Sequence, residues 1–233
     1  IIQQMDMMPP KPPVYYMRSA GTGMWGYIHF SVPDGKLDGI GGIGTITTTN
    51  PACIRNAARY DLCKNHCYSR TSFERGHNKR TLTDAMYVNN ALYEHELTGE
   101  PPVFRGITEF RLSIHGEVVN PTHMRNYYKL VNANTNIQFS LFTKEAQLVS
   151  EFIEANGKPD NLTIVYSQGV INKINAKTPS WADVQFVVAT KDESITMQCV
   201  GQQCESCKLC FGKSDKGTTI YELLRENGRP NRK

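Results

Sequence analysis

The cysteines of this chain fall into two short segments roughly 130 residues apart, and no cysteine lies elsewhere. The first segment, which we call the N-terminal cysteine group, has the spacing C-x9-C-x3-C and comprises Cys53, Cys63 and Cys67. The second, the C-terminal cysteine group, has the spacing C-x4-C-x2-C-x2-C and comprises Cys199, Cys204, Cys207 and Cys210. Thiols at such spacings are typical ligands of zinc ions and iron–sulfur clusters. We therefore expect a fold that holds two sets of metal ligands.

Two other interpretations explain the cysteines less well. Seven is an odd number, so disulfides would leave one thiol unpaired. A chain of 233 residues is also long enough to build a hydrophobic core, whereas disulfide-dense scaffolds are usually shorter and secreted. Inert buried thiols are the third interpretation. Metal binding accounts best for the grouping.

The two groups differ in what they could hold. Three thiols are one ligand short of a structural zinc site, but they suit a [4Fe–4S] cluster with one iron left open. The C-terminal group has four thiols and two successive C-x2-C steps, which resemble bacterial ferredoxin spacing. It could close a site by itself, with zinc as the alternative to a cluster. A different division is also open, in which Cys199 completes the N-terminal group.

Composition places few limits on function. The chain has a net charge of +4, which permits contact with nucleic acid but supports it only weakly. No apolar run approaches the length of a membrane span and no signal peptide is visible, so we expect a cytoplasmic protein without membrane contact.

We predict three parts: an extended arm over 1–24, a barrel-like domain over 25–192, and a cysteine motif with a basic tail over 193–233. The oligomeric state is left open.

Hydrophobic patterning predicts alternating strands and helices. The predicted strands span 25–32, 107–115, 137–143, 161–167 and 184–190. The predicted helices span 81–97, 122–132, 144–155, 168–175 and 220–226. Residues 39–53 read as a glycine-rich loop, and they lack the Gly-Lys-Ser/Thr of a phosphate-binding P-loop. Strands separated by single helices indicate parallel pairing. The fold class is therefore α/β: a partial (β/α) barrel or a parallel sheet, followed by a cysteine-rich metal-binding segment.

Ligands of parallel α/β folds bind at the carboxyl ends of the strands. The segments leaving those ends here are His115-Gly116-Glu117, Thr143-Lys144, Ser167-Gln168-Gly169 and Thr190-Lys191. The candidate ligand-binding residues are Arg111, His115, Gly116, Glu117, Lys144 and Ser167. Glu117 could bind an ammonium group, and Lys144 a carboxylate or phosphate. No catalytic residue can be assigned.

The order of these features resembles that of radical S-adenosylmethionine enzymes. Those enzymes carry a three-cysteine loop after the first barrel strand and a Gly-Gly-Glu motif at the tip of the second strand. Here Cys63 to Tyr68 is similar to the start of the cysteine motif, and His115-Gly116-Glu117 is similar to the second motif. Arg70 stands where the third motif cysteine would fall, so Cys53 would replace it. The resemblance implies a [4Fe–4S] cluster that binds S-adenosylmethionine through its open iron, with Glu117 receiving the ammonium group.

Five ordered motifs resemble the gene product 88 family of phage-encoded proteins. They are Phe30-Ser31-Val32-Pro33, Cys67-Tyr68, Arg111 to Glu117, Thr143-Lys144, and Cys207-Lys208-Leu209-Cys210-Phe211. This resemblance spans nearly the whole chain. It implies a phage or prophage origin, and hence the host cytoplasm, and it brings no mechanism with it.

Two functional hypotheses follow. In the first, the protein binds one or two [4Fe–4S] clusters, and a small ligand related to S-adenosylmethionine binds at an open iron. In the second, zinc ions or clusters only staple a non-catalytic phage accessory protein that binds nucleic acid or a host protein. Whether the chain is an enzyme is undecided at this level.

Overall fold

The computed structural model describes residues 14–16, 28–31, 33, 35–75, 79–173, 177–190 and 195–224. These residues form one sheet of eight strands whose order in the sheet is their order in the sequence. The strands are β1 (Val14–Tyr16), β2 (His29–Ser31), β3 (Gly41–Gly42), β4 (Glu109–Leu112), β5 (Gln138–Thr143), β6 (Leu162–Ser167), β7 (Val184–Ala189) and β8 (Thr218–Leu223). From β3 to β8 all neighbours are parallel, whereas β1 and β2 add an antiparallel edge.

Helices fill most of the connections between strands. They are α1 (Pro51–Arg59), α2 (Asp61–Asn65), α3 (Tyr68–Arg75), α4 (Lys79–Val88), α5 (Ala91–Glu94), α6 (Pro121–Ala133), α7 (Ala146–Asn156) and α8 (Cys204–Cys207). A 3-10 turn spans Gly35–Leu37 and a π turn spans Leu209–Lys213. Both α1 and α6 begin with Asn-Pro, in which the asparagine side chain caps the helix and proline occupies the first turn.

One face of the sheet carries the main hydrophobic core. Residues alternate along each strand, so Phe110, Phe139 and Ile164 point to the same side. There they pack with α6 and α7, which contribute Tyr127 and Val149, both at most 1% exposed. The tyrosines of α6 thus pack in the core.

The opposite face of the sheet is covered by the C-terminal cysteine segment. Val165, Val184, Phe186 and Ile220 form a second cluster there. Leu209 and Cys210 pack against that cluster. The chain between β7 and β8 therefore lies over the sheet instead of extending away from it.

The predicted helix over 81–97 is wrong in its continuity. The structure has two helices, α4 and α5, which are separated at Asn89 and Asn90. The Asn89 side chain accepts from His29 N at 2.7 Å and donates to Gly44 O at 2.8 Å. These bonds satisfy the backbone of neighbouring segments and fix the end of α4, which periodicity alone cannot reveal.

The predicted helix over 220–226 is also wrong, because Thr218–Leu223 forms the parallel edge strand β8. Its sequence, TTIYEL, is rich in β-branched and aromatic residues, and Ile220 packs in the second cluster. Residues 225 and 226 lie outside the described part of the chain.

The predicted helix over 168–175 is a series of turns and bends over 168–173, and 174–176 lie outside the described residues. Gln168 N donates to Phe186 O at 2.8 Å and Asn172 N to Val188 O at 3.0 Å. This segment thus continues the pairing of β6 with β7. Its backbone donors are satisfied by the sheet, so no helix is needed.

Two shorter segments also differ from their predictions. The glycine-rich loop over 39–53 contains β3 and the start of α1. In the predicted N-terminal arm, Val14–Tyr16 pairs with β2 as β1, and the other residues of 1–24 lie outside the described part. The α/β class and the mostly parallel sheet are as predicted. The first predicted strand, 25–32, corresponds to β2, which is antiparallel to its neighbours, whereas β3 to β8 are the parallel strands.

Candidate functional site

The carboxyl ends of the parallel strands open onto one cavity of about 860 Å³. Six of the seven cysteines line it: Cys53, Cys63, Cys67, Cys199, Cys204 and Cys210. All predicted ligand-binding residues line it as well: Arg111, His115, Gly116, Glu117, Lys144 and Ser167. One cavity therefore brings both cysteine groups together with the polar strand ends.

Short helices, not a loop, carry the N-terminal cysteine group. Cys53 lies in α1, Cys63 lies in α2, and Cys67 lies between α2 and α3. Burial raises the pKa of Cys53 well above its usual range, and the nearby Glu117 carboxyl and Cys67 raise it further. Burial also raises the pKa of Cys63, whereas Lys144 opposes that shift. These two thiols are therefore protonated near neutral pH.

Asn50 connects the cysteine helix to the strand ends, although sequence reasoning did not select it. Its side-chain oxygen accepts from Cys53 N at 2.9 Å. Its amide nitrogen donates to Thr45 Oγ1 at 3.0 Å and to the Glu117 carbonyl at 2.8 Å. Asn50 is fully buried, so these three bonds fix the start of α1 against Glu117. The Asn50-Pro51 pair before a helical segment is the signal that could have found it.

Glu117 is a buried carboxyl with a fixed orientation. It is 6% exposed; Oε1 accepts from Val118 N at 2.9 Å and Oε2 from Lys144 N at 2.8 Å. Burial raises the pKa of Glu117, and the Lys144 ammonium counters that shift. The preceding Gly116 has a φ of +76°, and a Cβ there would lie 2.0 Å from Thr45 Oγ1. Only glycine fits this position, and the close approach is to Thr45.

Lys144 and its neighbour bridge the strand ends. Lys144 Nζ donates to Ser167 Oγ at 2.9 Å, which joins the ends of β5 and β6. Glu145 Oε1 accepts from Asn56 Nδ2 at 2.9 Å, and Glu145 forms an ion pair with Arg55 at 3.3 Å. The loop after β5 is therefore attached to α1, the helix that carries Cys53.

His115 ends a chain of hydroxyl groups. Its Nδ1 lies 2.8 Å from Ser69 Oγ, which in turn is hydrogen-bonded to Thr47 Oγ1. Gly116 N donates to that Thr47 oxygen at 3.2 Å. Burial and the neighbouring Arg111 guanidinium lower the pKa of His115 to about 4. The imidazole is therefore neutral at physiological pH.

Arg111 points from the middle of β4 to the cavity side of the sheet. Its guanidinium carbon lies 3.8 Å from the centroid of the Phe142 ring. Its Nε is buried and has no hydrogen-bond partner among the residues that the structure describes. Burial raises the pKa of Cys204 and Cys210, and the Arg111 guanidinium opposes that shift. Arg111 thus lies beside the C-terminal cysteine group.

The C-terminal cysteine group is attached to β8. Cys199 N donates to Tyr221 O at 3.0 Å, and Cys199 Sγ lies 3.4 Å from Lys36 Nζ. Burial raises the pKa of Cys210 to about 12, and the effect of Cys199 on Cys210 adds to that shift. Cys199 therefore has its electrostatic neighbours in the C-terminal group, which argues against assigning it to the N-terminal group.

Cys207 differs from the other cysteines. It lies away from the wall of the cavity, and its Sγ accepts from Gln202 Nε2 at 3.3 Å. Lys208, the next residue, has a φ of +57° and forms an ion pair with the buried Glu109. The turn between Cys207 and Cys210 is thus held on the sheet by a charged contact as well as by the apolar cluster.

The remaining candidates at strand ends contribute less. Gln168 Nε2 donates to Gln185 Oε1 at 3.2 Å, and Thr190 bonds to Asn172 at an exposed position. Lys191 lies outside the described residues. His66, between two cysteines, lies 3.4 Å from Asp61 and lines the cavity.

Residues 29–219 match the model of the gene product 88 family. The chain therefore belongs to this family of phage proteins, and the matched range contains all five quoted motifs. No curated protein and no solved structure matches the chain significantly. None of the helices in the described part is long and apolar enough to cross a membrane.

Proposed function

We propose that this phage protein is an iron–sulfur protein whose N-terminal cysteine group holds a [4Fe–4S] cluster at the cavity. The observation that carries the proposal is that Cys53, Cys63 and Cys67 line one cavity with Glu117 and Lys144. Three thiolates leave one iron open to a small ligand. The ligand that the resemblance suggests is S-adenosylmethionine.

The order of the strands supports the same proposal. β3 is the first of six parallel strands, and the segment that follows it carries the N-terminal cysteine group. β4 is the second, and His115-Gly116-Glu117 follows it. This is the order of the two motifs in radical S-adenosylmethionine enzymes. We propose further that the six strands curve into a partial barrel, with α6 and α7 outside and the cavity inside.

We propose a cluster in preference to single zinc ions. Among the described residues, no three His, Cys, Asp or Glu side chains lie close enough together to hold one metal ion. The thiolates of a [4Fe–4S] cluster bind different irons, so their sulfurs are farther apart than the ligands of one ion. The thiols must lose their protons on binding, which makes metal uptake pH-dependent.

The roles of the surrounding residues follow from their geometry. A cluster held by Cys53, Cys63 and Cys67 would supply one-electron chemistry, and the protein would supply binding and orientation of the ligand. Glu117 is held rigidly by two backbone donors, and its remaining lone pairs can accept from a ligand ammonium. Lys144 keeps two of its three N–H donors for a carboxylate or phosphate. We assign the second cluster, or a zinc ion, to the C-terminal group.

The test is metal and sulfide analysis of anaerobically purified protein, together with its absorption spectrum. Two [4Fe–4S] clusters require about eight irons and eight sulfides per chain. Adding S-adenosylmethionine should alter the electron paramagnetic spectrum of the reduced protein, and Cys63→Ala should abolish that response, whereas Ser206→Ala should keep it. Two zinc ions per chain and no acid-labile sulfide would contradict the proposal.

A non-catalytic, metal-stapled accessory protein is the second candidate function. The observation that favours it is the packing of Cys199 and Cys210 against the apolar cluster of β6, β7 and β8. Metal binding there would stabilise the fold directly. A colourless anaerobic preparation that contains zinc would select this candidate. In either case we propose that the protein acts in the host cytoplasm.

A further inference from the structure

We infer that the cavity wall between the two cysteine groups is an oxyanion site, which binds a small molecule through its carboxylate or phosphate group. This inference deepens the proposed function, because it names the ligand chemistry of the same cavity. The inference rests on the proposed function only for the location of the ligand, because the residues from which it is argued are not cysteines.

Arg111 is the first observation. Its guanidinium stacks on Phe142 at 3.8 Å and makes no hydrogen bond or ion pair with another described residue. Stacking fixes the plane of the guanidinium and leaves its edge available for a planar or tetrahedral oxyanion. A half-buried cation whose Nε has no partner is costly unless a ligand supplies one.

The charge of the cavity wall is the second observation. Four cationic side chains line it, namely Lys36, Arg70, Arg111 and Lys144, against the two carboxylates of Glu117 and Glu222. Lys36 pairs with Glu222, and both oxygens of Glu117 accept from backbone amides. Lys144 Nζ has Ser167 Oγ as its hydrogen-bond partner. Arg111 and Lys144 thus bring positive charge to the cavity. Of the two carboxylates there, Glu222 is paired with Lys36, and Glu117 accepts from backbone amides.

Binding of two small probes to the anaerobically purified full chain tests the inference. Inorganic phosphate is titrated with protein and followed by ³¹P line broadening, and ¹³C-labelled acetate is followed by saturation transfer. Binding of phosphate, acetate or both is expected, and selectivity for one identifies the class of ligand. Arg111→Gln should weaken binding at least about tenfold, whereas Arg125→Gln, which removes an exposed arginine on α6, should leave it unchanged.

Two outcomes would overturn the inference. The first is that neither probe binds. The second is that Arg111→Gln and Arg125→Gln weaken probe binding equally, which would indicate an effect of net charge. If Arg111→Gln does not fold by circular dichroism, Arg111→Lys is used, which keeps the charge but loses the planar fork and should still weaken binding.

The metal state separates this inference from the proposed function. The titrations are repeated after iron is removed with a chelator. Phosphate binding in both states supports the oxyanion site even if metal analysis contradicts the cluster. Binding only in the metal-free state would mean that Arg111 balances the charge of the metal-bound cysteines, and the inference would be wrong.

Discussion

The two cysteine groups face one cavity, but they are attached to the fold by different interactions. The N-terminal group lies on short helices that are joined to the strand ends by side-chain hydrogen bonds from Asn50 and Asn56. The C-terminal group is joined to β8 by a backbone bridge and packs on an apolar cluster. Apolar packing contributes more to stability than a few polar bonds, whereas polar bonds fix geometry. The C-terminal group should therefore contribute more to the stability of the fold, and the N-terminal group should have the geometry that binds a ligand.

The largest effect is expected from Phe211→Ala, at the end of the C-terminal cysteine motif. Phe211 is 7% exposed, so truncation leaves a cavity under the segment and should lower the free energy of unfolding by about 3 to 5 kcal/mol. Urea denaturation measures this loss. Val200→Ala is the matched control, because Val200 is 68% exposed and lies in the same segment. Equal stability of Phe211→Ala and the parent would contradict the structural role of this region.

Asn50→Ala should have the next largest effect on stability and the largest on the N-terminal group. It removes a helix cap and two buried hydrogen bonds, which together contribute about 2 to 3 kcal/mol. It should also lower the metal content of the N-terminal group, because the start of α1 is no longer fixed against Glu117. Asn65→Ala, at an exposed position with a local bond, is the control. Loss of metal from the C-terminal group alone would contradict the link between Asn50 and the N-terminal group.

Acid should destabilise the protein through His123, a buried residue of α6. Neither ring nitrogen has a hydrogen-bond partner among the described residues, and burial lowers the pKa of His123 to about 3. Between pH 6.5 and pH 3 the unfolded chain binds a proton that the folded chain does not. Stability is therefore lost as the pH falls below 6.5, by about 1.4 kcal/mol per pH unit for this residue.

Thermal unfolding between pH 7.5 and pH 5 measures this dependence. His123→Gln should flatten the curve, whereas His95→Gln should not, because His95 is exposed. A pH dependence that is identical in the parent and in His123→Gln would remove His123 as the cause.

The smallest effect is expected from Asn56→Ala. Asn56 is 3% exposed and donates to Glu145 at 2.9 Å, so its truncation should cost about 1 kcal/mol. The change should loosen α1 from the loop after β5, and any response to S-adenosylmethionine should weaken. Arg55→Ala removes the neighbouring exposed contact to Glu145 and should change stability by less than half as much. A larger loss of stability in Arg55→Ala than in Asn56→Ala would contradict this ranking.

Regular periodicity explains which elements the sequence predicts well. Strands β5, β6 and β7 and helix α6 match their predicted spans to within one residue at each end. Each has a long apolar pattern, which packs in the main core for β5, β6 and α6 and in the second cluster for β7. β3 has only two residues, both glycine, and it forms because Gly41 and Gly42 pair beside β4. A pattern of two residues carries no period that a sequence can reveal.

The sequence selects residues that line the cavity, Cys207 excepted, but not the contacts between them. Cysteines and strand-end residues can be selected by type and position, and the structure brings them to one cavity. The bonds from Asn50 to Glu117 and from Ser69 to His115 join residues that are 67 and 46 positions apart. Such contacts depend on the packed fold, so they cannot be read from local sequence.

Separate deletion of the two cysteine groups tests the central claim most directly. Iron and acid-labile sulfide are measured in the anaerobically purified parent, in the variant Cys53→Ala/Cys63→Ala/Cys67→Ala, and in Cys204→Ala/Cys207→Ala/Cys210→Ala. Two clusters on one cavity predict that each variant keeps about half of the parent's iron and sulfide, with loss of the response to S-adenosylmethionine in the first variant only. Loss of all iron in both variants, or a parent that contains no iron, would contradict the account.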